Sequence, residues 1–285
     1  MRNNLSSSPP PLRSSPRLAA VFEKASAENR AAFIAYLTAG DPSLEATVEM
    51  AEALERAGAD VLELGVPFSD PIADGPVLQR AAERALAAGA TLDGVLEIGG
   101  RIRRRTSLAL VLFSYVNPLL RGGIESVARR AAEAGFDGAL MTDLPPEEAG
   151  EYQPAVRSAG LDTVFLVSPT STAARMKAAA RLSSGFLYVV SRPGTTGARN
   201  ALPADLPATI RRARKAAGSL PIAVGFGIGT PPAAGSAARL ADGVIVGSAL
   251  VAVAEAAEKR GAGPAAAVEK LARSLAEACR RNSTS

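Results

Sequence analysis

Histidine is absent from this chain of 285 residues, and that absence removes several mechanisms at once. There is no imidazole to act as a general base, no Ser-His-Asp or Cys-His triad, and no His-ligated metal. Proton transfer, if the chain performs any, must run on Glu, Asp, Lys or Tyr. Tryptophan is also absent, and aromatics make up only 4% of residues. A single cysteine, Cys279, rules out an intramolecular disulfide and gives no sign of an oxidising compartment; near the C-terminus it reads as an incidental thiol on a last helix. No apolar run approaches the roughly 20 residues that a membrane span requires.

What is present describes a soluble globular chain with ample core: 47% hydrophobic and 21% charged residues. The net charge is +4, carried by arginines dispersed among Glu and Asp. Local clusters at Arg101 to Arg105 and at Arg211, Arg212 and Arg214 are not interleaved with aromatics, so they read as solvated helix faces. Neither nucleic acid nor a membrane is an expected partner.

Residues 1–16 form a Ser/Pro-rich leader without an acidic residue, read as a disordered tail. The leader is also loosely like an organelle transit peptide, although three consecutive prolines make a poor amphipathic helix. Residues 17–285 are expected to be one domain. It opens with an amphipathic helix over 18–29, after which short apolar strands alternate with Ala-rich helical stretches. Strands are predicted at 33–37, 60–64, 108–115, 138–141, 163–167, 185–190, 222–225 and 243–247. Helices include 44–57, 126–134, 147–159 and 207–217, several ending in Ala-Gly before the next strand. Eight strands alternating with helices fit an α/β fold of the (β/α)8 TIM-barrel type, with an additional N-terminal helix. A doubly wound open sheet competes, but Thr38-Ala-Gly-Asp-Pro42 follows the first strand and no G-x-G-x-x-G appears. The segments after the second and sixth strands are longer than the rest, and in a barrel they fall at the face where active sites lie.

Chemistry concentrates in Glu63-Leu-Gly-Val-Pro-Phe-Ser-Asp-Pro-Ile-Ala-Asp74-Gly75-Pro76. A glutamate ending an apolar strand is costly to bury. Alternation puts Val61, Glu63 and Gly65 on one face, so Glu63 can point into a confined interior. Desolvation there raises its pKa toward the range where a carboxyl takes and gives a proton near neutral pH. Asp74 is a second candidate carboxylate, but Asp74-Gly75-Pro76 equally reads as a helix start capped by Asp74. Glycines after the last three strands, at Gly194 and Gly197, Gly225 and Gly227, and Gly247, allow backbone N–H groups to approach an anion. Ser248 would open a helix whose N-terminus favours phosphate. Tyr188 faces inward by alternation, as a core tyrosine or as a neighbour of Glu63. Residues 191–199 are small, polar and Gly-bearing, like a mobile lid.

The stretch from Glu63 to Pro76 closely resembles the signature of the tryptophan synthase α chain family. Other blocks match in order: Ala39-Gly-Asp-Pro42, Tyr115-Val-Asn-Pro118, Asp143-Leu-Pro145, Ser191-Arg-Pro-Gly-Thr-Thr-Gly197, Gly225-Phe-Gly-Ile228 and Gly247-Ser248. The likeness runs from about residue 18 to 280. It implies a retro-aldol cleavage of indole-3-glycerol phosphate into indole and glyceraldehyde 3-phosphate. Breaking that C–C bond requires protonating indole C3, assisting loss of the indole N–H and deprotonating the glycerol hydroxyl. By resemblance, Glu63 is the general acid/base, Asp74 hydrogen-bonds the indole nitrogen, and Tyr188 helps position Glu63 and the substrate. Gly197, Gly227, Gly247 and Ser248 would hold the phosphate. Tyr36, Phe113, Leu140 and Thr142 are candidates to wall the indole, and Thr196 to close the lid. No metal is implied.

The resemblance also implies a separate pyridoxal-phosphate-dependent β chain as partner, in an αββα tetramer in the cytoplasm, with no cofactor in this chain. The partner would touch the loops after strands two and six, together with Asn117-Pro118 and Asp143-Leu-Pro145. Two departures from the family pattern, Pro193 and Gly229, touch no proposed proton carrier. Three competing readings are a stand-alone indole-releasing lyase, a phosphosugar isomerase barrel, and a silent barrel that only activates a β chain. The complete Glu63 to Pro76 block speaks against the second, and Glu63 with Asp74 against the third.

Overall fold

The computed structural model describes residues 15–191 and 202–281. Eight parallel strands close into a barrel in sequence order: β1 (Ala32–Thr38), β2 (Val61–Gly65), β3 (Ala109–Ser114), β4 (Gly138–Met141), β5 (Asp162–Val167), β6 (Leu187–Val190), β7 (Ile222–Gly225) and β8 (Gly243–Val246). The helices are α1 (Pro16–Ala27), α2 (Leu44–Arg56), α3 (Pro76–Ala87), α4 (Leu92–Arg105), α5 (Val116–Gly122), α6 (Ile124–Glu133), α7 (Tyr152–Ser158), α8 (Ala173–Leu182), α9 (Leu206–Ala217), α10 (Pro231–Ala238), α11 (Ser248–Glu258) and α12 (Pro264–Ala278).

Strand alternation divides the core in two. Outward side chains such as Phe33, Leu62, Leu64, Leu110 and Val224 pack with the helices in one cluster, while Ile34, Tyr36, Val61, Val111, Leu140, Tyr188 and Ile245 fill the barrel interior. The register fixes neighbours within that interior: Tyr36 stands opposite Glu63, and Glu63 opposite Val111. Glu63 is thus the middle residue of β2, flanked on both sides by strand, rather than its end as the sequence suggested.

Helix α1 closes the N-terminal end of the barrel. It begins at Pro16, inside the stretch read as leader, and the Ser15 N–H donates to Asp162 Oδ2 at 2.6 Å. Leu18 and Phe22 join the interior cluster, Phe22 against the Phe186 ring with centroids 5.7 Å apart. Glycine makes room for them: a Cβ at Gly138 would lie 3.2 Å from Leu18, and one at Gly243 would lie 3.3 Å from Phe22. Asp137 at the same end receives Arg17 at 2.7 Å and Arg103 at 2.9 Å.

Several arginines of the two clusters make ion pairs or reach carbonyls: Arg101 with Glu45, Arg105 with Glu52, Arg214 with Asp242, and Arg212 on the Pro169 and Ser171 carbonyls. The helix predicted over 147–159 is broken into a short 3-10 turn, Pro146–Glu148, and α7. Pro154 explains the break, because its ring clashes with the carbonyl four residues back, at Gly150, if the helix runs through. Cys279 caps α12, buried, with its thiol pushed up to about 12 by desolvation. No helix among the described residues is long and apolar enough to cross a membrane.

Candidate active site

A narrow cavity of about 30 Å³ opens at the C-terminal end of the barrel. It is lined by Tyr36, Glu63, Asp74, Leu78, Phe113, Tyr188, Phe226, Gly227, Ile228, Ile245, Gly247 and Ser248. Residues from β1, β2, β3, β6 and the loops after β2, β7 and β8 therefore converge on a single space.

Glu63 is wholly buried, and neither carboxylate oxygen has a hydrogen-bond partner among the described residues. Burial without a compensating donor penalises the charged form, and the pKa rises from 4.5 to about 8. At neutral pH the group is a carboxylic acid holding a proton to give. Asp74 is treated differently by its surroundings. Burial raises its pKa to about 6, against the opposing effect of the Tyr115 hydroxyl, which donates to Oδ2 at 3.0 Å. Asp74 is not the cap of α3: Gly75 occupies that position, with Pro76 at the start of the helix, and the Asp74 carboxylate is left to the cavity and Tyr115.

The two tyrosines of the cavity stand where glycine permits. A Cβ at Gly65 would collide with the Tyr36 ring, and one at Gly225 with the Tyr188 ring. Tyr36 meets Phe113 edge-on with centroids 5.0 Å apart, and its hydroxyl lies 3.3 Å from the Thr38 hydroxyl. Tyr188 meets Phe226 edge-on at 5.8 Å. Burial pushes both phenols well above their usual range, with Glu63 and Asp74 adding to it, so both remain neutral donors.

The other end of the cavity is backbone. Phe226 and Gly227 have positive φ values of 67° and 80°, which turn the loop after β7 across the barrel mouth. Gly247 and Ser248 begin α11, so the N-terminal amides of that helix start at the cavity wall. No Lys or Arg is among the lining residues described, so an anion seated here meets N–H groups and a helix dipole.

Of the residues singled out in the sequence, Tyr36, Glu63, Asp74, Phe113, Tyr188, Gly227, Gly247 and Ser248 are brought together. Leu140 and Thr142 do not line the cavity. Leu140 is fully buried in the barrel interior, paired in register with Phe113, and the Thr142 hydroxyl turns back to the Ser114 carbonyl at 3.4 Å. Gly197, Thr196 and residues 192–199 of the expected lid lie outside the described residues. Sequence reasoning missed Leu78, Phe226, Ile228 and Ile245. Ile245 was legible, since it alternates with Gly243 in β8; the others follow from how α3 and the loop after β7 fold over the mouth.

The sequence profile described as tryptophan synthase alpha chain matches residues 22–280. The tryptophan synthase alpha chain of Solibacter usitatus is 53% identical over 235 residues, covering 82% of this chain and 88% of its own. That of Zymomonas mobilis is 47% identical, covering 92% of this chain and 96% of its own. Among solved structures, a chain of Mycobacterium tuberculosis tryptophan synthase superposes with a TM-score of 0.86 at 38% identity, covering 95% of this chain and 100% of that one. The alpha subunit from Legionella pneumophila gives 0.83 at 40% identity, covering 92% and 98%.

Proposed function

The chain belongs to the tryptophan synthase alpha chain family, and from that premise we propose how its residues divide the work. The reaction, a step of tryptophan biosynthesis, is the lyase cleavage of indole-3-glycerol phosphate to indole and glyceraldehyde 3-phosphate. Its two acid–base tasks need one group that begins protonated and one that begins ionised. Near pH 7 Glu63 is mostly neutral and Asp74 mostly charged, because their pKa values are pushed to about 8 and about 6. Environments that separate two carboxyls in this way assign acid and base.

Glu63 gives its proton to indole C3 while Asp74 takes the proton from the indole nitrogen, leaving a neutral 3H-indole. The Glu63 carboxylate then removes the proton from the glycerol hydroxyl. The C–C bond breaks, its electron pair flows through the ring to nitrogen, and Asp74 returns the proton there. Indole and the aldehyde are formed, and both carboxyls regain their starting states. Tyr188 and Tyr36 wall the ring beside Glu63, and Gly227, Gly247 and Ser248 hold the phosphate, so remote binding energy fixes the reacting end. In the same reading Gly197 joins the phosphate site and Thr196 closes the lid, both outside the described residues.

The observation that carries the assignment is the unpaired, wholly buried Glu63 carboxyl sharing a cavity with Asp74. The test is indole release by wild type, Glu63→Gln and Asp74→Asn, each with and without a β chain. Loss of a general acid/base is expected to lower kcat on the order of 10²–10⁴-fold or more, with phosphate-dependent binding largely kept. For wild type, kcat/KM should fall below about pH 6 and above about pH 8. A Glu63→Gln protein of normal rate would overturn the reading.

The partner in this reading is a pyridoxal-phosphate-bearing β chain, in an αββα assembly in the cytoplasm. Ile72, 84% exposed in the loop that carries Asp74, and Leu120, 54% exposed on α5, support a docking surface around the mouth. Turnover unchanged by the β chain would favour the stand-alone lyase instead.

A further inference from the structure

The loop between β2 and α3 has to hold Asp74 still, yet its own hydrogen bonds do not reach the carboxylate. The Asp74 N–H donates to the Pro71 carbonyl at 3.0 Å, and Gln79 reaches back to the Asp74 carbonyl at 2.9 Å. The partner of the carboxylate among the described residues is Tyr115, which follows β3 and lies 41 residues away in the chain. Its hydroxyl donates to Asp74 Oδ2 at 3.0 Å and accepts from the Ala73 N–H at 3.0 Å. Its ring lies on Phe68, centroids 5.2 Å apart and planes 32° apart. One side chain thus meets the loop at its start, at Ala73 and at Asp74.

The direction of the Tyr115–Asp74 bond is fixed by its neighbours. An ionised carboxylate can only accept, so the phenol gives Asp74 its single proton, while its oxygen accepts from the Ala73 N–H and has the Thr142 hydroxyl as a further hydrogen-bond neighbour. A bond donated to a carboxylate favours the ionised form, against the desolvation that favours the acid. The other titratable groups facing this space are Glu63 from β2, Tyr36 from β1 and Tyr188 from β6. All three are uncharged near neutral pH, and no Lys or Arg lines the cavity among the described residues. The hydroxyl of Tyr115 is what opposes burial.

We infer that Tyr115 is a positioning residue for the cleavage: it pins the Asp74 carboxylate and keeps it ionised to receive the indole N–H proton. The inference rests on the role given to Asp74 above. Tyr115 does not line the cavity, so it acts through Asp74 and not on the substrate.

Tyr115→Phe deletes the hydroxyl and keeps the ring on Phe68. The Asp74 carboxyl would be titrated by carbon NMR in the full chain, and kcat/KM followed against pH in the presence of the β chain. Both the Asp74 titration and the acid limb of activity are expected to move up by about one pH unit, the worth of a hydrogen bond to a charged group. The alkaline limb should stay put, and kcat/KM at pH 6 should drop several-fold. Incorporating 3-fluorotyrosine at position 115, a stronger donor, should move both downward, and it serves if the Phe variant folds poorly. Loss of rate at every pH without a shift in the Asp74 titration overturns the inference. A titration that moves while the acid limb of activity does not would uphold the Tyr115–Asp74 coupling and sink the catalytic role of Asp74.

Discussion

Glu63 occupies a position that stability alone would not choose. In the folded chain it keeps its proton up to about pH 8, whereas an unfolded glutamate releases it near 4.5. Between those values the native state binds the extra proton, so the contribution of this carboxyl to stability is greatest below about pH 4.5 and is lost as pH rises toward 8. The loss at pH 7 is on the order of 3 kcal/mol. Glu63→Gln removes it while filling the same volume. That protein is expected to unfold at higher urea concentration than wild type at pH 7 to 8, with the gap closing near pH 4.5. Asp74 shifts in the same direction but is common to both proteins and cancels. Equal midpoints at pH 8 would show that the burial of Glu63 is relieved in some other way. The sequence pointed to Glu63 because a lone charge stood among Val61, Leu62 and Leu64. It gave no hint that Tyr115 holds Asp74, because a bond across 41 residues is a property of how β2 and β3 lie side by side.

At the level of elements, the alternation of apolar strands and Gly-punctuated helices was legible enough to bring out all eight strands of a closed barrel. The places where that reading slipped have local causes, such as Pro154 dividing the helix after β4 and Thr142 turning back on the β3 backbone. The function of α1 as a plug was not legible, because its apolar stripe looks like that of any surface helix. The structure shows why small residues recur at the strand starts: Gly138 and Gly243 leave space for Leu18 and Phe22. Phe22→Ala empties that end and is expected to cost about 3 kcal/mol in urea unfolding. Under conditions where the variant stays folded, kcat should be unchanged, because the cavity lies at the other end. A fall in kcat would mean that the plug also shapes the mouth.

For the molecule as a whole, the two ends of the barrel have opposite characters. One is sealed by α1 and ion pairs around Asp137, and the other carries the cavity, two exposed apolar side chains and the loop of Asp74. If a β chain docks on the second end, Ile72 is well placed to be covered. Ile72→Glu is expected to weaken association at least tenfold, since it buries a charge in an apolar contact. Titration calorimetry would measure it, and basal indole release by the isolated chain should survive. Undiminished binding would move the docking surface elsewhere.

The plug has a consequence for traffic. With Leu18 and Phe22 stoppering the floor, indole and the triose phosphate must both depart by the doorway through which their parent arrived. A β chain docked over that threshold would be the first surface that departing indole meets. In such a vessel, the closed bottom alone sets the side on which a partner could receive the product.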